Sequence, residues 1–330
     1  MSALGILGTG SYLPTREVSN KEVAEWCGIT AEWIEERTEI RTRRYAAPDE
    51  ATSDLAARAA VQALQAAGLT AGQLDYLIVS TSTGDSPQPP TAFLVQDAIG
   101  ASAAACFDIN VVCSGFVFGL EVAHRLLAGR TDGYAMVIGA DVYSRVLNYA
   151  DHRSAILLGD GAGAAVIGPV SAGYGLLGSE LSSMGQAHHL IRIDAGGSRN
   201  PTTAQTLAEG GHYFRMDGRA VRDFVMDNVP PVLERLLRNH GVTAGEVGHF
   251  VPHQPNGVLL RRLVERAGMA QARTHRTLER YGNVGSASVP VTLDDGRRSG
   301  AFREGDLVLL AGFGGGMSVG ASLVRWQGCS

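Results

Sequence analysis

Short apolar runs rich in Val, Ile and Leu alternate with longer stretches of helical periodicity along the whole chain. A chain of this pattern buries its strands as a parallel sheet under helices, so it is an α/β protein. The strand segments fall at 76–79, 107–109 and 134–138 in the first half and at 250–251 and 307–310 in the second. Between them, Ser53 reads as the N-cap of an alanine-rich helix ending near Gly68. Val221, Phe224, Val225 and Val229 form an apolar stripe on a later helix that Pro230-Pro231 should interrupt. At 330 residues the chain exceeds twice the usual domain size, which suits one large layered fold or two closely joined halves.

Composition removes several function classes. With 45% hydrophobic and 18% charged residues the chain is globular, and its formal charge of -5 offers no basic excess for a nucleic-acid backbone. No run approaches the roughly 20 apolar residues of a membrane span. The start, Met1 to Leu7, lacks the basic and long apolar regions of a signal peptide, which points to the cytoplasm. Cys27, Cys106, Cys113 and Cys329 are too few and too scattered for a disulfide framework or a CxxC metal site. Any important cysteine therefore acts alone. All but one of the 28 basic residues are arginine, a bias that reads as base composition rather than chemistry.

The halves share an order of parts. Cys113 lies between Ile78 and Ile138 at separations close to those that place Asn283 between Phe250 and Leu310. This suggests a structural duplication, with halves at 1–170 and 171–330 forming one unit and bringing Cys113 and Asn283 together at their junction. Coincidence among ordinary βα units is the plainer alternative. The glycine-rich stretch from Gly196 to Gly211 reads as a loop that could cover a pocket.

Several motifs fail on inspection. Gly8-Thr9-Gly10 starts like a dinucleotide fingerprint, but the third glycine is missing and Pro14 interrupts the helix that would hold the pyrophosphate. Gly316-Met317-Ser318-Val319-Gly320 matches an esterase pattern, yet no Asp or His follows Ser318 to complete a triad. His249 and His253 on an extended segment stand about 13 Å apart, too far to share a metal. His188-His189 reads as solvated loop, so no metal is expected.

What survives is a set of three side chains. Cys113, in Asp108-Ile109-Asn110-Val111-Val112-Cys113-Ser114-Gly115-Phe116, lies between a strand and the mouth of an apolar helix starting near Ser114. Unpaired amides and the helix dipole favour a thiolate there, lowering the pKa from about 8.5 toward 3.5–7.5, whereas burial opposes it. His253 stands where a strand should end, in His253-Gln254-Pro255-Asn256, and Asn283 is flanked by glycines in Gly282-Asn283-Val284-Gly285-Ser286-Ala287-Ser288. Taken singly, each has a plainer reading: a packed core thiol, a hydrogen-bonded core histidine and a turn asparagine.

Taken together, these motifs, the final Gly312-Phe313-Gly314-Gly315-Gly316, Trp33 and Arg37 in EWIEERT, and Gly159-Asp160-Gly161-Ala162-Gly163 resemble the β-ketoacyl-ACP synthase III family over nearly the whole chain. Within it, AGGSRNP, YFRMDGR and HFVPHQPNGVLL look most like the acetoacetyl-CoA synthases. The resemblance implies a thiolase-like fold of two similar βα halves in five αβαβα layers, and a homodimer. It also implies a decarboxylative Claisen condensation of a short acyl-CoA with malonyl-CoA or malonyl-acyl carrier protein, through an acyl group on Cys113 and without a cofactor. By the same resemblance, backbone N–H groups of Cys113 and Gly315 form the oxyanion hole, and His253 and Asn283 stabilise the enolate. Trp33, Arg37, His152 and Arg153 contact CoA, Asn256 lines the pantetheine end and Phe313 the acyl pocket. An acyltransferase passing the acyl group to an alcohol or amine is the alternative, and so is a non-catalytic partner subunit.

Three positions depart from the family pattern. His152 stands where carrier-using members usually have arginine, with Arg153 one place later. Val258 replaces an arginine that helps dock an acidic carrier, which leans the acceptor toward malonyl-CoA. Glu39 replaces a glycine and adds negative charge near a site meant for phosphates.

Overall fold

A computed structural model describes residues 3–130 and 132–328; Cys329, like Met1 and Ser2, lies outside the described residues. Every strand of one five-stranded sheet lies between residues 3 and 170, in the order Ala3–Tyr12, Asp160–Val170, Ala135–Val142, Tyr76–Ser80, Ala105–Ile109. The other is drawn from residues 175 to 325, in the order Gly175–Ser183, Ser318–Arg325, Leu307–Gly314, His249–Pro252, Arg273–Thr274. Numbered in chain order within its own half, each sheet reads first, fifth, fourth, second, third. The duplication that matching separations suggested is therefore present in the topology.

Two helices, Gly115–Leu127 and Ser288–Arg298, lie between the sheets and hold equivalent places in the halves, each following its half's third strand. Phe116, Leu120 and Leu127 from one and Val289 and Leu293 from the other meet Ile78, Val137, Val251 and Leu310 in a single buried core. Each such side chain stabilises the fold by about 1.5–3 kcal/mol through its lost exposure to water. Thr52–Ala67 and Thr91–Ile99 cover the outer face of the first sheet, Gly218–Asn239 and Gly257–Arg266 that of the second. The result is the five-layered αβαβα arrangement of a thiolase-like fold.

The sheets are mixed rather than wholly parallel. Tyr76–Ser80 and His249–Pro252 each pair in parallel with both neighbours, while the fifth strand of each half pairs antiparallel with the first and the fourth. The short turn between Leu307–Gly314 and Ser318–Arg325 forces that geometry, because only a long crossover returns a strand in parallel. Glycine runs concealed two strands from a reading by apolar runs. Gly8 lies under the helix Thr52–Ala67, where a Cβ would come 2.5 Å from Ala67 N. A Cβ on Gly163 of Asp160–Val170 would come 2.7 Å from Val291 N on the central helix. These glycines serve close packing of helix on sheet.

Two helix-end expectations are corrected. Ala51, not Ser53, occupies the N-cap of Thr52–Ala67. Ser53 N–H and Oγ–H donate to the Asp85 carboxylate at 2.9 and 2.6 Å, so a residue distant in the chain satisfies the helix start. Pro230 and Pro231 do not stop the later helix, which runs from Gly218 to Asn239. Pro230 cannot donate to the Met226 carbonyl, but Arg266 Nε does so at 2.8 Å, which removes part of the penalty. The 196–211 stretch is not all loop, since Ala204–Ala208 is helical.

Candidate active site

Cys113 occupies the tight turn Val112–Ser114, between the strand Ala105–Ile109 and the buried helix Gly115–Leu127. Val112 just before it has φ 48°, a left-handed conformation that a β-branched residue adopts only under constraint. The end of Leu307–Gly314 supplies that constraint. A Cβ on Gly314 would lie 2.9 Å from Cys113 Cβ, so glycine there lets the two halves close, and one on Gly315 would press on Val112 Cγ1 at 3.1 Å. Ser114 Oγ and Ser318 Oγ, 2.5 Å apart and buried, fix the same junction, giving Ser318 a structural place.

Of the two opposing influences expected at this helix mouth, burial prevails over the amides. Burial, and secondarily the charge of Asp141, pushes the Cys113 thiol up to about 12, although the N–H groups of Gly315 and of Cys113 itself reach the sulfur and act the other way. Desolvation outweighs the amides because the sulfur lies inside the core rather than at its surface. Cys113 is a neutral thiol in the resting protein.

His253 follows the strand His249–Pro252, and its N–H donates to Ala311 O at 2.7 Å. It packs edge-on against Phe313, with ring centroids 5.4 Å apart. Burial lowers its pKa to about 3, so the imidazole is neutral, and its buried Nδ1 has no hydrogen-bond partner. His249 turns elsewhere: its Nδ1 lies 3.0 Å from His275 Nε2 and its Nε2 3.0 Å from Asp306 Oδ2. Gln254 locks the loop by donating to Pro252 O and His275 O and accepting from Thr277 N–H.

Asn283 reaches the same place from the second half. Its backbone N–H donates to Leu157 O and its carbonyl accepts from Gly159 N–H, so a segment of the first half pins it from both sides. Its side-chain Oδ1 accepts from Gly285 N–H at 3.0 Å, which orients the amide and leaves the NH2 end free of that bond. Fully buried Asp141 holds the next turn by accepting from Ser286 N–H and Oγ–H, both at 2.8 Å, while Ser82 and Thr83 donate to its other oxygen. Nothing in the sequence around Gly139-Ala140-Asp141 flagged that carboxylate.

Cys113, His253, Asn283, Phe313 and Gly314 line one small chamber of about 40 Å³, closed by apolar side chains such as Phe214 and Met216. Phe214 and Met216 also wall a polar cleft of about 680 Å³ lined by Arg153, Arg192, Arg215 and Arg219. Asp151 and Asp217 line it too, and Arg153 pairs with Asp151 while Arg192 and Arg215 pair with Asp194. Arg215 and Arg219 lie in the YFRMDGR motif, whereas nothing in the sequence singled out Arg192. No residue of 196–211 lines either cavity.

The remaining predicted residues form a chain of contacts that starts at His152, next to Arg153. Trp33 and Arg37 share the helix Ala31–Thr38, with the guanidinium 5.9 Å from the indole centroid. His152 meets Trp33 edge-on at 5.4 Å. Asn256 is placed outside the chamber wall: its Oδ1 accepts from Leu259 N–H as a helix cap, and its Nδ2 donates to Arg37 O. Pro255 and Leu259 line the chamber beside it. Among the described residues, no group of three or more His, Cys, Asp or Glu could hold a metal ion, and no helix is long and apolar enough to cross a membrane.

Comparison with known proteins agrees with this arrangement. Residues 107–185 match the family model 3-oxoacyl-[acyl-carrier-protein (ACP)] synthase III, and residues 237–326 match its C-terminal model. The chain is 51% identical over 323 residues to acetoacetyl CoA synthase NphT7 of Streptomyces sp. (strain CL190), covering 97% of this chain and 98% of that one. It is 40% identical over 322 residues to a beta-ketoacyl-[acyl-carrier-protein] synthase III of Clostridioides difficile (strain 630), covering 98% of each. Among solved structures, the priming β-ketosynthase of the R1128 polyketide pathway superposes with a TM-score of 0.92 at 34% identity, covering 100% of this chain and 98% of that one. The 3-oxoacyl-[acyl-carrier-protein] synthase III of Aquifex aeolicus VF5 gives a TM-score of 0.90 at 31% identity, covering 98% and 100%.

Proposed function

The chain belongs to the 3-oxoacyl-[acyl-carrier-protein] synthase III family of condensing enzymes, and from that premise we propose how its residues carry out the reaction. It is an acyl-transferring enzyme that performs a Claisen condensation on thioesters. The sulfur of Cys113 attacks the carbonyl of a short acyl-CoA, the carbon–sulfur bond to CoA breaks, and the thiol proton leaves with the CoA thiol. The N–H groups of Cys113 and Gly315, which already reach the sulfur, hold the developing oxyanion.

A malonyl thioester then binds. As its carboxylate leaves as carbon dioxide, the electron pair passes into an enolate whose oxygen accepts hydrogen bonds from neutral His253 and from the Asn283 amide. The resulting carbanion attacks the acyl carbonyl, the bond to Cys113 breaks, and the thiolate takes up a proton from water. The observation that carries the reading is the shared chamber: a sulfur, an imidazole with an unpaired buried nitrogen and an amide oriented by Gly285 meet there.

Free malonyl-CoA is the proposed acceptor, supported by Val258 and by the similarity to an acetoacetyl CoA synthase. Trp33, Arg37, His152 and the arginine cleft beside Arg153 would hold the nucleotide end of CoA, because guanidinium forks suit phosphate. The cytoplasm is where such thioesters would be met. A homodimer is proposed through Ala105–Ile109, an edge strand, beside a helix that exposes Phe93 and Leu94.

The test supplies acetyl-CoA with malonyl-CoA or with malonyl-carrier protein and follows carbon dioxide and β-keto product. Product with malonyl-CoA in excess of the carrier arm is expected; none from either refutes condensation. Unchanged product in Asn283→Ala would favour acyl transfer to an alcohol or amine instead.

A further inference from the structure

The helix Ala31–Thr38 ends on Glu39, whose φ of 59° makes it, with Val112, one of two described non-glycine residues in a left-handed conformation. Most side chains are destabilised there, so something must hold this one. Its carboxylate lies between Arg261, on the helix Gly257–Arg266, and Arg276, which also pairs with Glu279 at 2.9 Å. Gly257 makes the room: a Cβ there would come 2.5 Å from Glu39 Oε2. The charge that looked out of place beside a phosphate site is answered by two arginines.

These contacts join two parts of the site. On one side is the helix carrying Trp33 and Arg37. On the other is the segment around Arg276, whose Thr277 N–H is read by Gln254, the residue after His253. Asn256 adds a parallel tie by donating to Arg37 O at 3.0 Å. Arg276 is the shielded partner, with 24% side-chain exposure against 59% for Arg261, so the Arg276 pair contributes more.

We propose that Glu39 is a positioning residue that holds the Trp33–Arg37 helix in register with the His253 loop through Arg276, so that a CoA gripped at the rim delivers its thioester to Cys113. This rests on the reading that Trp33 and Arg37 hold CoA.

The experiment measures CoA binding by calorimetry, and KM and kcat for acetyl-CoA, in the full-length protein and in Glu39→Gln, Glu39→Gly, Arg276→Gln and the Glu39→Gln/Arg276→Gln double variant. Each single variant should weaken CoA binding about fivefold and raise KM in step, with kcat within about twofold. The double variant should weaken binding by less than the product of the two single effects, because both changes remove the shared Glu39–Arg276 pair. Glu39→Gly relieves the backbone and still binds weakly, so affinity and unfolding midpoint part company. Unchanged CoA affinity in both Glu39 variants, a loss that follows the unfolding midpoint, or a fall in kcat with KM unmoved overturns the proposal. Failure of the condensing reading would show separately, as wild-type protein that binds CoA but gains no acetyl adduct on Cys113.

Discussion

The two halves place different chemistry at equivalent points of one topology. In each, a one-turn helix leads into the buried central helix: Val112–Ser114 before Gly115–Leu127, and Gly285–Ala287 before Ser288–Arg298. In the first half the turn carries a sulfur and is strained through Val112. In the second a carboxamide precedes the turn, and Gly285, at φ 57°, takes the left-handed position without a side chain. The scaffold thus decides where the two tips meet, at one chamber lined by both Cys113 and Asn283, and a few residues at each tip decide which side chain is presented there.

That division can be broken first by chemistry. Asn283→Ala should lower condensation by about 10² to 10³, the usual worth of one oxyanion donor, while Cys113 still takes up an acetyl group detectable by mass spectrometry. Equal loss of both half-reactions would contradict separate roles for the two tips. Next is the backbone. Gly285→Ala places a Cβ against Asp141 Oδ2 as well as in a left-handed conformation, and should cost about 3 kcal/mol in urea unfolding. Val112→Gly should stay within about 1 kcal/mol of wild type, since relief of strain offsets lost contacts and added chain freedom.

The halves should also fail at opposite ends of the pH scale. His253 and His275 are held neutral, with pKa values lowered to about 3 and about 4 from an ordinary 6.5, so unfolding takes up protons in acid. Stability should fall as pH drops from 6.5 toward those values, and His253→Gln should flatten the slope. Cys113, raised from 9 to about 12, stabilises the fold fully below pH 9 and loses that contribution as pH rises toward 12. Cys113→Ser should remove that alkaline component of the unfolding curve. The smallest effect concerns the proline-containing helix, where Arg266→Ala should cost about 1 kcal/mol by releasing the Met226 carbonyl.

Legibility in the sequence followed the physics of each feature. Apolar runs such as 76–79 and 307–310 announced strands because continuous burial needs continuous hydrophobicity. Ala3–Tyr12 and Asp160–Val170 were hidden, because their glycines are there for what packs above them, and that partner is distant in the chain. The candidate nucleophile was visible as a cysteine between strand and helix, but which of the two opposing influences sets its charge state was not. A helix mouth is a local property, whereas the depth of Cys113 is set by the second half closing over it through Gly314 and Gly315. Glu39 looked anomalous for the same reason, since Arg261 and Arg276 lie far along the chain.

The amino-acid order by itself determined the α/β class and suggested the repeated arrangement of parts, because hydrophobic periodicity is carried residue by residue, and it singled out Cys113, His253 and Asn283 together only through their resemblance to the family's motifs. Tertiary structure alone decided which of those groups are dry and neutral, which amides reach the sulfur and which arginines share a cleft. Desolvation and convergence depend on atoms contributed by segments far apart in the chain, and no local window contains them.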